Sequence, residues 1–564
     1  MKFSEIPYNK PDINEIKIEF EELLTKFAAC DSFEEQEKLY FEINKIIMDF
    51  YSDENVAAVR YSLDVNNKDY EELKEYFDNI RPDFQQLVMR FAKLFTSSKF
   101  LKEYSKKYGN FIIDNAKRGL LTFSDAIAEE FRQEAALETE YYKMKAEGTL
   151  NYAGQERTVN SMNKFLISSD RAVRKEANEA VLNFQESKVD RVNKIFDDVI
   201  KIRTSMARAL GFKNFVELAY LRMEKSFSQE DVKKFRDNIH KYFVPLSIKL
   251  KERKRIRLGL DEVLYYDSPL KFKSGNPKPK GNPDWIVQQG VKMYSELSPE
   301  TKEFIEFMTE YELFDLDSRK GKGGSGGYAT YFYKYKYPFI NGNMNGSSFD
   351  VYLFTHEAGH ALQSYLCRNF SLMDEINTSS DLSEIHSMSM EFLTHDYMNL
   401  FFEEDTEKYI FGHFESSVNM LPHLAKADEF QEMIYSYPEL TFEQRCSEWK
   451  MLQKKYGTEF KGSDNKYLNE GMSWLNRELF VSHPMYSIEY ALAQMVAYQF
   501  LFLKKENHES AMRKYIDFCK LGGKYNFSQS LKIAGLKNPF EEETVKEMAE
   551  KMEELIDSID DSKF

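Results

Sequence analysis

At 564 residues the chain is long enough for more than one hydrophobic core, so small size does not limit its fold. Aromatic residues make up 15% while glycine (24) and proline (14) are scarce, which favours long helices with bulky side chains and argues against a turn-rich sheet protein. The formal net charge of −16, from 77 Lys+Arg against 93 Asp+Glu, excludes nucleic acid or an anionic membrane surface as the expected main partner.

The four cysteines, Cys30, Cys367, Cys446 and Cys519, are scattered and form no C-x-x-C pair, so they read as reduced thiols. The stretch Met1 to Pro11 has no apolar core of a leader peptide, and no later run approaches 18 uncharged apolar residues. The expectation is a cytoplasmic protein with no membrane partner.

From about residue 12 to about 250, amphipathic patterns such as Ile13, Ile16, Phe20, Leu23, Leu24 and Phe27 predict one helix after another. Breaks are expected at Asp31-Ser32, at Tyr108-Gly109-Asn110 and from Asn151 to Gln155, and Ser228-Gln229-Glu230-Asp231 reads as a capping box opening a helix. The basic run Lys251 to Arg257, with Glu252 inside it, is expected to be a solvated helix face. Between Asp267 and Asp284 a Pro, Gly, Asn and Lys composition predicts an exposed loop. A second, glycine-rich break from Lys320 to Gly327 leads into Tyr331, Tyr333, Tyr335 and Tyr337, whose period of two predicts a strand. That strand reads either as an ordinary edge hairpin or as an edge that pairs with an extended peptide.

The segment Val351 to Gln363 is apolar and compatible with a buried helix, and it contains Thr355-His356-Glu357-Ala358-Gly359-His360. Positions i and i+4 share a helix face, so His356 and His360 can each offer a ring nitrogen to one zinc ion at about 2.0–2.1 Å. Glu357, roughly 100° around the helix, can take a proton from water without ligating the metal. A catalytic zinc needs a third protein ligand and an open position. The extended HExxHxxGxxH pattern fails, because Gln363 and Leu366 occupy its Gly and His positions, so a carboxylate is expected. Asp374, Glu375, Asp381, Glu384 and Glu391 are candidates. Glu384 and Glu391 are seven residues apart on one helical run, so one can ligate while the other supports from behind.

Three blocks then carry a family resemblance: Phe354-Thr355-His356-Glu357-Ala358-Gly359-His360-Ala361, Ser383-Glu384-Ile385-His386-Ser387-Met388-Ser389-Met390-Glu391, and Pro484-Met485-Tyr486-Ser487-Ile488-Glu489-Tyr490-Ala491. Together they resemble the thimet oligopeptidase family, in its oligoendopeptidase F and Pz-peptidase branch. The resemblance covers the C-terminal two-thirds closely and implies Glu384 as the third ligand of one Zn2+ per chain. It also implies a mainly α, two-lobed body enclosing a deep substrate channel, with a small β-sheet beside the zinc-site helix. A helical N-terminal domain (1–195) and a catalytic domain (196–564) follow from it.

Tyr486 and Tyr490, spaced i, i+4, read by pattern alone as an aromatic core stripe; the resemblance makes them phenolic donors to an oxyanion. Related enzymes carry a histidine around the position of Leu479, where this chain has none, and His483 is the candidate to replace it. His386, about 200° from Glu384 on a helix, is not expected to ligate with it. The implied activity is zinc-dependent endopeptidase cleavage of short peptides. The competing readings are a dipeptidyl carboxypeptidase, which needs a fixed positive group for the substrate C-terminus, and a helical zinc-binding protein without catalysis. Cys367 cannot complete a structural zinc site, because it lies almost two turns beyond His360. Oligomeric state and cleavage preference are not readable from the chain.

Overall fold

The expected succession of helices is present in a computed structural model of the chain, which describes residues 1–146, 148–323 and 326–564. Helices Ile13–Ala29, Phe33–Leu63 and Lys68–Thr96 open the chain, each capped by an Asp, Ser or Asn side chain (Asp12, Ser32, Asn67) that accepts from backbone N–H groups of the first turn. The breaks at Asp31-Ser32 and Gly109 fall between helices, and Gly109 takes φ 90. The Ser228/Asp231 box closes reciprocally: the Ser228 hydroxyl accepts from Asp231 N at 3.1 Å, and the Asp231 carboxylate accepts from Ser228 N at 3.0 Å. Residues 268–282 are non-helical, and helix Pro283–Leu297 begins after the Asn282 cap.

Alternating stretches of chain build two compact units. The first contains Met1–Thr122, Pro279–Phe401 and Phe500–Leu536; the second contains Phe123–Lys278, Phe402–Gln499 and Lys537–Phe564.

Among the described residues the strands form two small sheets. In the second unit, β1 (Thr149–Tyr152) and β2 (Gln155–Thr158) make an antiparallel hairpin where the sequence predicts only a break. Its two-residue turn is Ala153 (φ 51) and Gly154 (φ 72), the doubly positive backbone that matches strand twist. In the first unit, β3 (Phe314–Asp317), β4 (Gly327–Phe332) and β5 (Tyr337–Met344) lie in the order β3-β5-β4, so β4 is an edge. The tyrosine run is therefore not one strand. It ends β4, turns at Tyr333 to Lys336, with Lys336 at φ 58, and opens β5. Gly324 and Ser325 of the glycine-rich break lie outside the described residues.

The first unit's N-terminal core is aromatic, with Phe20, Phe50, Phe77 and Phe84 fully buried and the Phe50 and Phe84 rings stacked at 3.8 Å. Its central helix, Phe349–Leu366, lies across the sheet. Gly327 and Gly342 are cross-strand partners beneath it, and a Cβ at either position would come within 3.0 or 2.8 Å of the Leu353 side chain. The two glycines thus let the helix rest directly on β4 and β5.

The basic run Lys251 to Arg257 departs from expectation. In helix Val244–Leu258, Lys254 and Arg257 are buried: Lys254 donates to the Ser268 carbonyl at 2.6 Å, and Arg257 is paired with Glu415 at 2.8 Å. Sequence reasoning took the charges for solvated because their partners are remote in the chain.

Candidate active site

His356 and His360 project from one side of helix Phe349–Leu366, and Glu384 projects from helix Ser380–Leu393. The Nε2 atoms of His356 and His360 lie 3.4 and 3.6 Å from Glu384 Oε2. Two ligands held about 2.0–2.1 Å from a tetrahedral zinc stand about 3.3–3.4 Å from each other, so the donor set fits that ion. One donor atom from each of the three residues falls within 4.8 Å of the others. Of the other carboxylate candidates, Asp374 accepts from Asn115 at 2.9 Å, Glu375 pairs with Lys524 at 3.4 Å and Asp381 accepts from the Ser379 hydroxyl.

Glu391 supports from behind, with Oε1 2.7 Å from His356 Nδ1, which leaves Nε2 for the cluster. Ser383 Oγ lies 3.2 Å from His360 Nδ1, and the Ser387 hydroxyl donates to Glu384 Oε2 at 3.0 Å. Burial lowers the His360 imidazole to about 4, against the pull of Glu384, and so keeps it in the neutral form a ligand needs. Burial also works to lower His356, but its contacts with Glu384 and Glu391 outweigh that and raise it well above the ordinary histidine value. Two carboxylates thus draw positive charge to the place where a cation would sit.

The close meeting of the two helices depends on Gly359. A Cβ there would lie 2.6 Å from the His386 carbonyl oxygen and 2.6 Å from Ser387 Cα. The glycine inside the HExxH motif is therefore the contact that lets Glu384 reach both histidines. At the helix start, the buried Asp350 carboxylate accepts from Asn345 N (2.9 Å) and Gly346 N (2.8 Å), which ties the end of β5 to the helix. Glu357 is buried, and burial is the main cause that raises its carboxyl to about 7, against the opposing pull of His356 and of the Ala329 backbone N–H on edge strand β4. His386 points elsewhere, with its ring 5.2 Å from that of Phe518, and burial lowers it to about 3. Cys367 is also outside the cluster, donating to the Cys519 carbonyl at 3.3 Å.

The third block belongs to the second unit. His483 is exposed, Tyr486 and Tyr490 are half-buried, and the three rings form a series: His483 to Tyr486 at 5.8 Å and Tyr486 to Tyr490 at 5.1 Å, both edge-on. Met485, buried between them, holds φ 67. Its N–H donates to Gln431 Oε1 at 3.0 Å, and its carbonyl accepts from Lys225 Nζ at 2.5 Å. The buried Arg203 donates to the Phe480 carbonyl at 2.7 Å and to that of Val481, at the end of helix Leu479–Ser482. Arg203, Lys225 and Gln431 brace the turn, and none carries a local sequence signal for it.

Residues 165–550 match the sequence profile of "Peptidase family M3". The chain belongs to this family. Residues 3–123 match the "Peptidase M3 N-terminal domain". Similar proteins include "Oligopeptidase PepF" of Bacillus subtilis (strain 168), 26% identical over 402 residues, 68% of this chain and 57% of the relative. "Oligoendopeptidase F homolog" of Borreliella burgdorferi is 27% identical over 220 residues, 38% of this chain and 36% of the relative. The chain thus matches about half or less of the length of these relatives. A solved structure titled "PZ peptidase A with inhibitor 2" is 38% identical, covers 100% of both chains and has a TM-score of 0.96. Oligoendopeptidase-F from Enterococcus faecium, at 14% identity, 97% and 98% coverage and a TM-score of 0.58, shares the fold. The M3 fold accounts for the predominance of helices and for the small sheet beside the HExxH helix. No helix among the described residues is long and apolar enough to cross a membrane.

Proposed function

We propose that the chain is a zinc-dependent endopeptidase that cleaves internal bonds of short oligopeptides in the cytoplasm, with His356, His360 and Glu384 as ligands of one Zn2+. The supporting observation is the spacing of the two imidazole Nε2 atoms at 3.4 and 3.6 Å from one Glu384 oxygen, with Glu391 fixing His356 from the far side. When bound, zinc would supply Lewis-acid polarisation of a water and of the scissile carbonyl.

Glu357 takes the proton from the attacking water and later delivers it to the leaving amine. A buried carboxyl drawn up to about 7 moves protons in both directions near neutral pH. Edge strand β4, whose Ala329 N–H acts on the Glu357 carboxyl, offers backbone to an extended peptide, which would register the scissile bond by strand addition. Tyr490 and Tyr486 donate phenolic hydrogen bonds to the oxyanion that forms at the carbonyl, and His483 contacts the substrate.

The test is cleavage of an internally quenched peptide by the purified chain. Activity should vanish with a chelator and return with zinc, and product masses from N- and C-terminally blocked peptides should show internal cuts. Metal-independent cleavage would overturn the metal chemistry. Cleavage confined to peptides with a free C-terminus, removing two residues at a time, would overturn the endopeptidase assignment.

A further inference from the structure

The second unit buries several basic side chains, and most have an acid at hand. Arg203 meets Glu134 at 2.5 Å, Arg236 meets Asp428 at 2.7 Å and Arg257 meets Glu415 at 2.8 Å. Lys426, on helix Thr406–Ser436, breaks that rule at only 1% exposure. Its ammonium donates to the Thr458 hydroxyl at 2.9 Å and stands 4.3 Å from the centre of the Trp449 ring, and among the described residues it makes no ion pair.

Three further basic groups converge on the same place. The Arg477 guanidinium faces the same Trp449 ring at 5.8 Å. Lys251 donates to the carbonyl of Gly457, the neighbour of Thr458. His423 lies one turn before Lys426 on its helix and is half-buried. Neither Arg477 nor Lys251 makes an ion pair among the described residues, and the acid that acts on Lys251, Glu459, is exposed. Burial first, and then the charges of Arg477 and Lys251, push Lys426 well below the ordinary lysine value, and His423 is lowered in the same way. Like charges gathered in a desolvated place are costly unless an opposite charge joins them.

We propose that Lys251, His423, Lys426 and Arg477, gathered about Trp449 and the Gly457-Thr458 turn, form a binding site for one small anion. Lys426 and Arg477 supply the charge, and the Thr458 hydroxyl and Trp449 ring hold the ammonium in place. The anion is either a free inorganic ion or a carboxylate carried by a peptide, since both present the same compact negative charge.

The experiment uses the full-length, zinc-loaded protein in low-salt HEPES. Thermal unfolding and calorimetry are followed while sodium chloride, sodium phosphate, or N-acetylglycine against its amide is added. The wild type should show a saturable response, weakened about tenfold or more by Lys426→Met and by Arg477→Gln and unchanged by Lys201→Met on the exposed surface. A response to chloride or phosphate assigns a free ion; a response only to N-acetylglycine, absent with its amide, assigns a peptide carboxylate. If both site variants fail to fold, bromide scattering from soaked wild-type crystals decides, with a peak expected between Lys426 and Arg477. A wild type that binds none of these probes saturably, variants that bind as tightly as wild type, or no bromide peak there would overturn the proposal.

Discussion

In the first unit, three donor side chains come from two regular helices, and helix spacing together with one glycine contact at Gly359 sets their geometry. In the second unit, His483, Tyr486 and Tyr490 straddle an irregular turn at Met485, held in a left-handed backbone by Gln431 and Lys225 and backed by Arg203. The first arrangement is local and periodic. The second adds to a local bond, Tyr486 N to the His483 carbonyl at 3.2 Å, two contacts from side chains more than 50 residues away in the chain, Gln431 and Lys225. The difference separates two functions that variants can pull apart: the helix pair should govern metal content, and the turn should govern turnover at full metal content.

Glu384→Ala tests the separation hardest. It should remove zinc measured by atomic absorption and leave no cleavage above background, because two histidines alone do not make a catalytic site. Tyr490→Phe should keep zinc at one per chain while kcat falls about 10²–10³-fold, the usual cost of losing an oxyanion donor. A Tyr490→Phe protein that loses zinc would erase the distinction between the regions. Glu391→Gln should weaken zinc affinity about 10–100-fold in a competition titration with a chelating dye, since it frees His356 Nδ1 from its carboxylate. Gly359→Ala should cost about 1–3 kcal/mol in denaturant unfolding by forcing the helices apart, and should loosen zinc as well. Unchanged stability would mean that the helix contact does not constrain the site.

The same contrast explains what could be read from the chain. The 3.6-residue period revealed the helices, and the i, i+4 spacing offered His356 and His360 as two candidate ligands with no knowledge of tertiary structure. The proposed third ligand was readable only as one of five carboxylates, because which acid meets the histidines is decided by how two helices pack, and the family resemblance singled out Glu384. The role of Gly359 was invisible, since the backbone it meets at His386 and Ser387 is distant in sequence. The tyrosine alternation from Tyr331 to Tyr337 was misread as one strand because a tight turn at Lys336, φ 58, needs neither glycine nor proline to announce it. The hairpin at Thr149–Thr158 was seen only as a break, its strands being four residues long. The burial of Lys254 and Arg257 in helix Val244–Leu258 has no local signal, as their partners Ser268 and Glu415 lie elsewhere in the chain.

The central claim is that Glu357 moves the proton while His356, His360 and Glu384 hold the metal. Glu357→Gln, assayed for zinc and for cleavage of a quenched peptide on the same preparation, tests it most directly. Zinc should remain at one per chain while kcat falls by about 10²–10⁴-fold or more; a variant that retains zinc and turns over at close to the wild-type rate would contradict the account.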